Sequence, residues 1–409
     1  MISKNDKNII AALDVGTSKI VTLVAEISED RSIDIIGYGI CESKGLKRGI
    51  VVDIEATVES IKKSIGEAER TSGHNILSLV TGIAGNHIRS ISSTGTVPIT
   101  NNEVTQDDLD AVLESASAIT IPGDHKIIHR IPQEYIIDKQ DGIRVPIGMS
   151  GIRLESRVHI VTGANNAIEN IVKCIKKCGR SVQELVLEQI ASNESVLTSD
   201  EKELGVCLID IGGGTSDIAV FSNASLEFTS SIAIGGDQVT NDISVALKTS
   251  RSNADEIKKF YGCTKPELVN SEEMIEVPGV GERPSKKLSK HRLAEFIKPR
   301  YEEIFTLINN EIERSGFEPK IPAGIVLTGG SAKIEGAVDL AEEIFHKQVR
   351  IGIPQYVSGA SDIVKNPVYS TAVGLLLIAK KDMEINELSN EKSNNFQNFR
   401  NLIKKLLMN

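Results

Sequence analysis

GVCLIDIGGGTSDIAVF, at residues 205–221, sets an apolar run, a turn of Asp-x-Gly type and a second apolar run end to end. The same order occurs near the N-terminus, where IIAALDV (9–15) is followed by Gly16-Thr17-Ser18-Lys19 and then IVTLVAEI (20–27). Two related halves facing each other is the economical reading of such an echo. Each glycine-rich turn leads into another β-rich run, so each is a hairpin tip. A dinucleotide fingerprint would place a helix there, and a Walker-type loop would need G-x-x-x-x-G-K-[ST], which the chain lacks.

Glycine hairpin tips expose backbone N–H groups with no side chain in the way, which suits a polyphosphate. Two facing tips would clamp it from both sides, with Lys19 and the hydroxyls of Thr17 and Thr215 as further donors. Asp14, Asp210 and Asp217 would then point at an anion, an arrangement that calls for a cation between. Mg²⁺ fits, because it keeps most of its waters and needs only one or two carboxylates beside phosphate oxygens. Asp14 and Asp210 are the expected ligands, through water. AGIVLTGG (323–330) reads as a buried strand ending in Gly329-Gly330, where backbone can approach a base or ribose.

The 409 residues are ample for several cores, and 40% hydrophobic with 25% charged residues is ordinary globular composition. A net charge of −10 disfavours nucleic acid as a partner. Five scattered cysteines fit a reducing compartment, and no zinc spacing accompanies Cys174 and Cys178. His125 and His129 flank an extended apolar pair. MISKNDKNIIAALDVG has no apolar core of the secretory kind, and the longest apolar stretch near the end, 372–379, falls far short of the ~20 residues that span a bilayer.

Residues 53–72 have helical apolar spacing and an acidic start. Residues 84–160 carry short strand-like runs around one helix, which begins at Thr105 with Asp108 three residues on, a capping-box start. Residues 164–198 read as mostly helical, 288–314 as a long helix interrupted at Pro299, and 331–346 as a helix. Residues 380–395 are polar without an apolar face and read as a flexible linker.

These residues resemble a known superfamily. ALDVGTSK and LIDIGGGTSDIAV are similar to the two phosphate motifs of the actin, heat-shock chaperone and sugar kinase group, and GIVLTGGSAKIEG to its adenosine motif. VLEQIASNESVL resembles the first connecting helix, which puts Glu188 at the position that orients the attacking water, although Gln189 stands where a proline is usual. TAVGLLL, from Thr371, resembles the second connecting helix. Within the group the resemblance is to the FtsA family of bacterial cell-division proteins. GLKRGIVVDIEATVESI, VTGIAGNHIRS, HRIPQEYIID, GMSGIRLESRVHIVTGA, GGDQVTNDIS and LAEFIKPRYEEI carry it, over about residues 8–380.

The resemblance implies an α/β, actin-like (ribonuclease H-like) two-lobed nucleotidase fold, with an inserted α+β subdomain 1C and a C-terminal amphipathic helix. Its divisions would be 1A at 1–83 and 163–204, 1C at 84–162, 2A at 205–225 and 301–379, and 2B at 226–300. It implies ATP with Mg²⁺, at most slow hydrolysis, self-polymerisation, and tethering of the FtsZ ring to the inner membrane. Later division proteins would bind through 1C. The nucleotide set it implies adds Gly16, Ser18, Gly212, Gly213, Gly214, Gly235, Gly236, Lys258 and Ser331. An acidic FtsZ tail would meet the helix bearing Lys290, Arg292, Lys298, Arg300 and Glu302. A chaperone would need a long domain after the core, and a sugar kinase a base facing a sugar pocket; neither is evident.

At about 100° per residue, Phe396, Phe399, Leu402, Ile403, Leu406 and Leu407 share one helix face. Arg400, Lys404 and Lys405 lie beside or opposite it, and the tail has no acidic residue. This pattern suits an anionic membrane surface on the cytoplasmic side, although the chain has no Trp to anchor it.

Overall fold

The computed structural model describes residues 8–281 and 283–385. The first half begins with β1 (Ile9–Val15), β2 (Lys19–Ile27) and β3 (Ile33–Glu42), then a small hairpin, β4 (Leu46–Lys47) and β5 (Ile50–Val51). Helix α1 (Ile54–Ser72) starts where the Asp53 carboxylate accepts from the Ala56 N–H and stops at Gly73, held at φ 74°. These are the two ends expected of a capped helix. Its Val58, Ile61, Ile65 and Ala68 pack on the sheet. Strand β6 (Ser78–Ile83) follows.

The insertion comes next: β7 (Ile88–Pro98), α2 (Gln106–Ser117), β8 (His125–Ile137), β9 (Gln140–Ile143) and β10 (Arg153–Ala164). They form a separate sheet in the order β7-β10-β8-β9. The Thr105–Asp108 capping box is present at the start of α2. The chain then returns through α3 (Asn165–Lys177), β11 (Ser181–Leu187), α4 (Glu188–Val196) and α5 (Ser199–Leu204).

The second half has β12 (Val206–Ile211), β13 (Ser216–Ser222), β14 (Ser225–Ile232), α6 (Gly236–Leu247), α7 (Arg251–Tyr261), β15 (Met274–Val277), β16 (Lys286–Ser289) and α8 (Lys290–Ser315). It ends in β17 (Ile325–Thr328), α9 (Ala337–Phe345), β18 (Val349–Ile351), β19 (Ser358–Gly359), α10 (Ser361–Val364) and a helix over 370–385. The two main sheets repeat one plan. The first reads β3-β2-β1-β6-β11 and the second β14-β13-β12-β17-β18. In each, the glycine hairpin and its outer strand are antiparallel and the next two strands are parallel. The echo in sequence is an echo in topology.

Four expectations need correction. Residues 181–187 are a parallel edge strand, not helix: Val186 and Leu187 are buried on opposite faces and the register shifts between Val182 and Glu184, so SVQELVL shows no clean alternation. The helix expected to be interrupted at Pro299 is continuous, because α8 runs unbroken from Lys290 to Ser315. Pro299 removes one N–H at a cost of ~3 kcal/mol. Burial of Leu293, Ile297, Tyr301, Ile304 and Phe305 at roughly 1.5–3 kcal/mol each outweighs it. Residues 330–333 form a 3₁₀ turn and α9 starts only at Ala337, after Gly336 at φ 78°. Finally, 380–385 continue the last helix. Their polar side chains are paired, Lys381 with Glu194 and Glu384 with Arg31 and Lys380, rather than left to solvent.

The rest of the expected linker and the tail residues Phe396, Phe399, Arg400, Leu402, Ile403, Lys404, Leu406 and Leu407 lie outside the described residues. Among the described residues no helix is long and apolar enough to cross a membrane.

Candidate functional site

The two glycine hairpins meet tip to tip. A Cβ built on Gly213 would lie 1.7 Å from Ser18 Oγ, and one on Gly214 would lie 2.8 Å from Thr17 Oγ1. Ser18 Oγ donates across the cleft to Asp237 Oδ1 at 3.4 Å. Gly329, at φ 87°, sits so close to Asp210 that a Cβ there would be 2.3 Å from its Oδ1. Gly213 permits this close approach of the Ser18 side chain, and at 329 both the approach to backbone and the positive φ require glycine.

Between the tips lies a narrow cavity of about 70 Å³. Its walls include Asp14, Gly16, Thr17, Ser18, Lys19, Glu188, Asp210, Gly212, Gly213, Gly214, Thr215, Asp217, Gly329 and Gly330, all of them expected from sequence. Four expected residues stand just behind it. Gly235 packs on the carbonyls of Gly212 and Gly213. Ser331 Oγ donates to Gly212 O at 3.0 Å. Lys258 Nζ donates to Gly236 O at 3.1 Å and to Thr240 Oγ1 at 2.7 Å, and pairs with Asp255 at 2.9 Å.

Sequence reasoning missed several wall residues. Thr371 Oγ1 donates to Asp210 Oδ2 at 3.1 Å, and Pro367 and Val368 lie beside it at the start of the last helix. The TAVGLLL match pointed to this helix without naming a role for its threonine. Gly49 and Ala84 come from loops with no phosphate-motif signal. Gln189, the departure from the usual proline, is 2% exposed and donates from Nε2 to Asp217 Oδ1 at 3.1 Å, while Thr215 Oγ1 donates to Asp217 Oδ2 at 3.0 Å.

Four carboxyl groups share this space with one ammonium, that of Lys19. Burial raises Asp14 to about 6, against the pull of Lys19 and with the push of Asp210. Burial likewise pushes Asp217 up to about 7. Asp210 is raised by burial, opposed by Lys19 and by donation from Thr371. Glu188 is raised well above its ordinary value by burial and then by Asp14, Asp217 and Asp210. Desolvation and like charge act together here. The cavity is thus a set of hard oxygen donors short of positive charge. Among the described residues no three His, Cys, Asp or Glu side chains could hold a metal by themselves. Mg²⁺ held by one or two carboxylates and phosphate oxygens fits this donor set; a metal held by protein alone does not.

The basic residues expected to face a partner gather on α8, but each is already paired. Arg300 grips Asp242 at 2.6 and 3.1 Å and also meets Glu303. Lys298 pairs with Glu267 at 3.7 Å, Arg292 with Glu295 at 2.5 Å, and Lys290 with Glu273 and Glu335 at 3.6 Å each. Glu302 is half-buried beside them. An acidic peptide would have to exchange for these carboxylates.

The family model described as "Cell division protein FtsA" matches residues 207–374, and that described as "SHS2 domain inserted in FTSA" matches 85–162, the inserted sheet. The chain is 53% identical over 377 residues to the cell division protein FtsA of Pseudomonas aeruginosa, covering 92% of this chain and 90% of that one. Among solved structures, the PilM–PilN type IV pilus biogenesis complex superposes with TM-score 0.66 at 16% identity, covering 91% of this chain and 98% of that one. MreB 5 of Spiroplasma citri bound to AMPPNP superposes with TM-score 0.57 at 16% identity, covering 94% and 99%. The fold is actin-like.

Proposed function

The chain belongs to the FtsA family of cell division proteins, and from that membership we propose that it is an ATP-binding, filament-forming adaptor that tethers the FtsZ ring to the cytoplasmic membrane. The observation that carries the nucleotide part is the pair of touching glycine hairpins enclosing four carboxyl groups and Lys19. The bound AMPPNP of the MreB 5 neighbour supports the same reading.

In this reading the backbone N–H groups at Gly16–Ser18 and Gly212–Thr215 receive the phosphate oxygens, with Lys19 as the cation among them. Asp14 and Asp210 would hold Mg²⁺ through water, and the ion would supply positive charge between carboxylates and phosphates. Thr371 keeps the Asp210 carboxylate turned by its hydrogen bond. Glu188 orients the attacking water. Burial and the charges of Asp14, Asp217 and Asp210 raise its proton affinity, which works against its holding a water as a carboxylate. Hydrolysis is accordingly slow.

Residues 396–408 lie in the plane of the inner membrane's cytoplasmic face at the division site. The α8 surface around Lys298, Arg300 and Glu302 takes the FtsZ tail, and the inserted sheet serves later division proteins. Filament formation multiplies weak tails into firm attachment through effective concentration. Liposome co-pelleting with and without Mg·ATP, followed by electron microscopy, tests the whole. A chain that pellets equally without anionic lipid, or forms no filaments with ATP, defeats it.

A further inference from the structure

The sequence GLKRGIVVD, residues 45–53, enters the site as described so far only through Gly49. It forms the small hairpin in which Leu46 pairs with Val51 and Lys47 with Ile50. Its tip is Arg48-Gly49, with φ of 53° and 77°. Two successive positive φ values are the hand of a two-residue type I′ turn, which favours Asn, Asp or Gly at both places. Arginine is a poor choice for that backbone, so the turn itself does not account for it.

The position of the tip does. Gly49 lines the cavity, and its N–H donates to Thr17 Oγ1 at 3.0 Å, which ties the tip to the first phosphate hairpin. The Arg48 Cα lies 3.1 Å from where a Cβ on Gly214 would be, which places it against the second phosphate hairpin. On its third side the tip meets the β6 exit, where a Cβ on Gly49 would fall 2.7 Å from Ala84 O. Arg48 is exposed and makes no ion pair or hydrogen bond through its side chain among the described residues. The Cα of an arginine with an unengaged side chain therefore stands at the junction of both hairpin tips, next to Gly49 of a cavity whose walls supply only one ammonium against four carboxyl groups.

Resting on the nucleotide reading above, we propose that Arg48 is a further phosphate-binding residue, closing over the terminal phosphate of the nucleotide and making the site discriminate triphosphate from shorter forms. A guanidinium meets phosphate by paired charge-assisted hydrogen bonds, and its reach from a turn tip suits the outer end of a phosphate chain clamped between the two hairpins. The side chain is free in this structure because nothing among the described residues competes for it.

The test uses the full chain and three probes with Mg²⁺: ATP, ADP and AMP. Arg48→Asn suits the turn, so its thermal midpoint should equal or exceed that of the unaltered chain. Its affinity for ATP should fall about tenfold, for ADP less, and for AMP not at all. Arg48→Lys should recover part of the ATP affinity. Equal losses for all three nucleotides, no loss for ATP, or a gain for ATP would each overturn the proposal while leaving the nucleotide site standing. An unaltered chain that binds none of the three overturns both.

Discussion

Gly213 carries the sharpest consequence of the site geometry. A side chain there would enter the space of Ser18 Oγ. Gly213→Val is expected to abolish binding of a fluorescent ATP analogue while leaving the fold intact, since the tip is in a turn between two buried strands. Unchanged affinity would remove the tip from the site. Glu188→Ala should retain nucleotide binding and lose turnover; a variant with full turnover takes Glu188 out of the mechanism. The carboxyl groups add a dependence on pH. Asp14 and Asp217 hold protons in the folded chain up to about 6 and about 7, whereas unfolded aspartate releases them near 4. The folded state thus binds more protons across that window, and stability falls as pH rises through it. These two groups should lower the melting temperature between pH 4 and pH 7 and add nothing further above pH 8. Mg·ATP should oppose that loss and release protons on binding near pH 6.5, seen as a calorimetric heat that varies with the buffer's ionisation enthalpy. A heat independent of buffer would contradict this account.

At the scale of elements, α8 is a 26-residue helix buried along one face, whose half-buried Lys298 and Arg300 are committed to neighbouring carboxylates. Reversing both charges, Lys298→Glu with Arg300→Glu, should abolish anisotropy-detected binding of an FtsZ tail peptide. Arg300→Glu also sets like charges beside Asp242 and Glu303, so some loss of melting temperature should accompany it. Unaffected peptide binding would move the partner surface elsewhere. The tail helix is argued from its sequence pattern. Several large apolar side chains at roughly 1.5–3 kcal/mol each on full burial compete with ~1–2 kcal/mol per residue of backbone ordering. The three basic residues add about 1 kcal/mol each near an anionic surface. Leu402→Glu or Ile403→Glu should free the protein from liposomes, and Asn401→Glu should do much less. Equal tolerance on both faces would favour a helix docked on the protein itself.

Across the whole molecule the two lobes meet at the cleft between the hairpin tips, where Ser18 and Asp237 touch across it. Parting of the hairpin tips would break contacts such as Ser18–Asp237. The inserted sheet spans the same division. His159 Nε2 lies 3.0 Å from Thr229 Oγ1, Ser90 Oγ donates to Thr229 O at 3.0 Å, and Gln133 Nε2 donates to Leu226 O at 3.1 Å, all on β14 of the other lobe. Any motion of the lobes would strain or shift these contacts. Pulsed-EPR distances between labels at Glu29 and Lys259, one on each lobe, should lengthen or broaden when Mg·ATP is added. A distribution that does not change would mean that nucleotide enters without lobe movement.

The two glycine hairpins, the Gly329-Gly330 strand end and the capped helices were legible because each is a local device. A turn, a cap or a glycine pair announces itself within a few residues. The repeated half was legible for the same reason, as a local pattern written twice. What tertiary structure decided is what depends on contact between distant segments. Strand 181–187 is a strand because β6 lies beside it, and α8 passes Pro299 because its apolar face is buried along its length. Residues 380–385 stay helical because Glu194 and Arg31 come to meet them. Thr371, Gln189 and Arg48 join the site through contacts that reach 161, 28 and 166 residues along the chain, the last the span from 48 to 214. No periodicity in the sequence carries such pairings, because the fold alone brings their ends together.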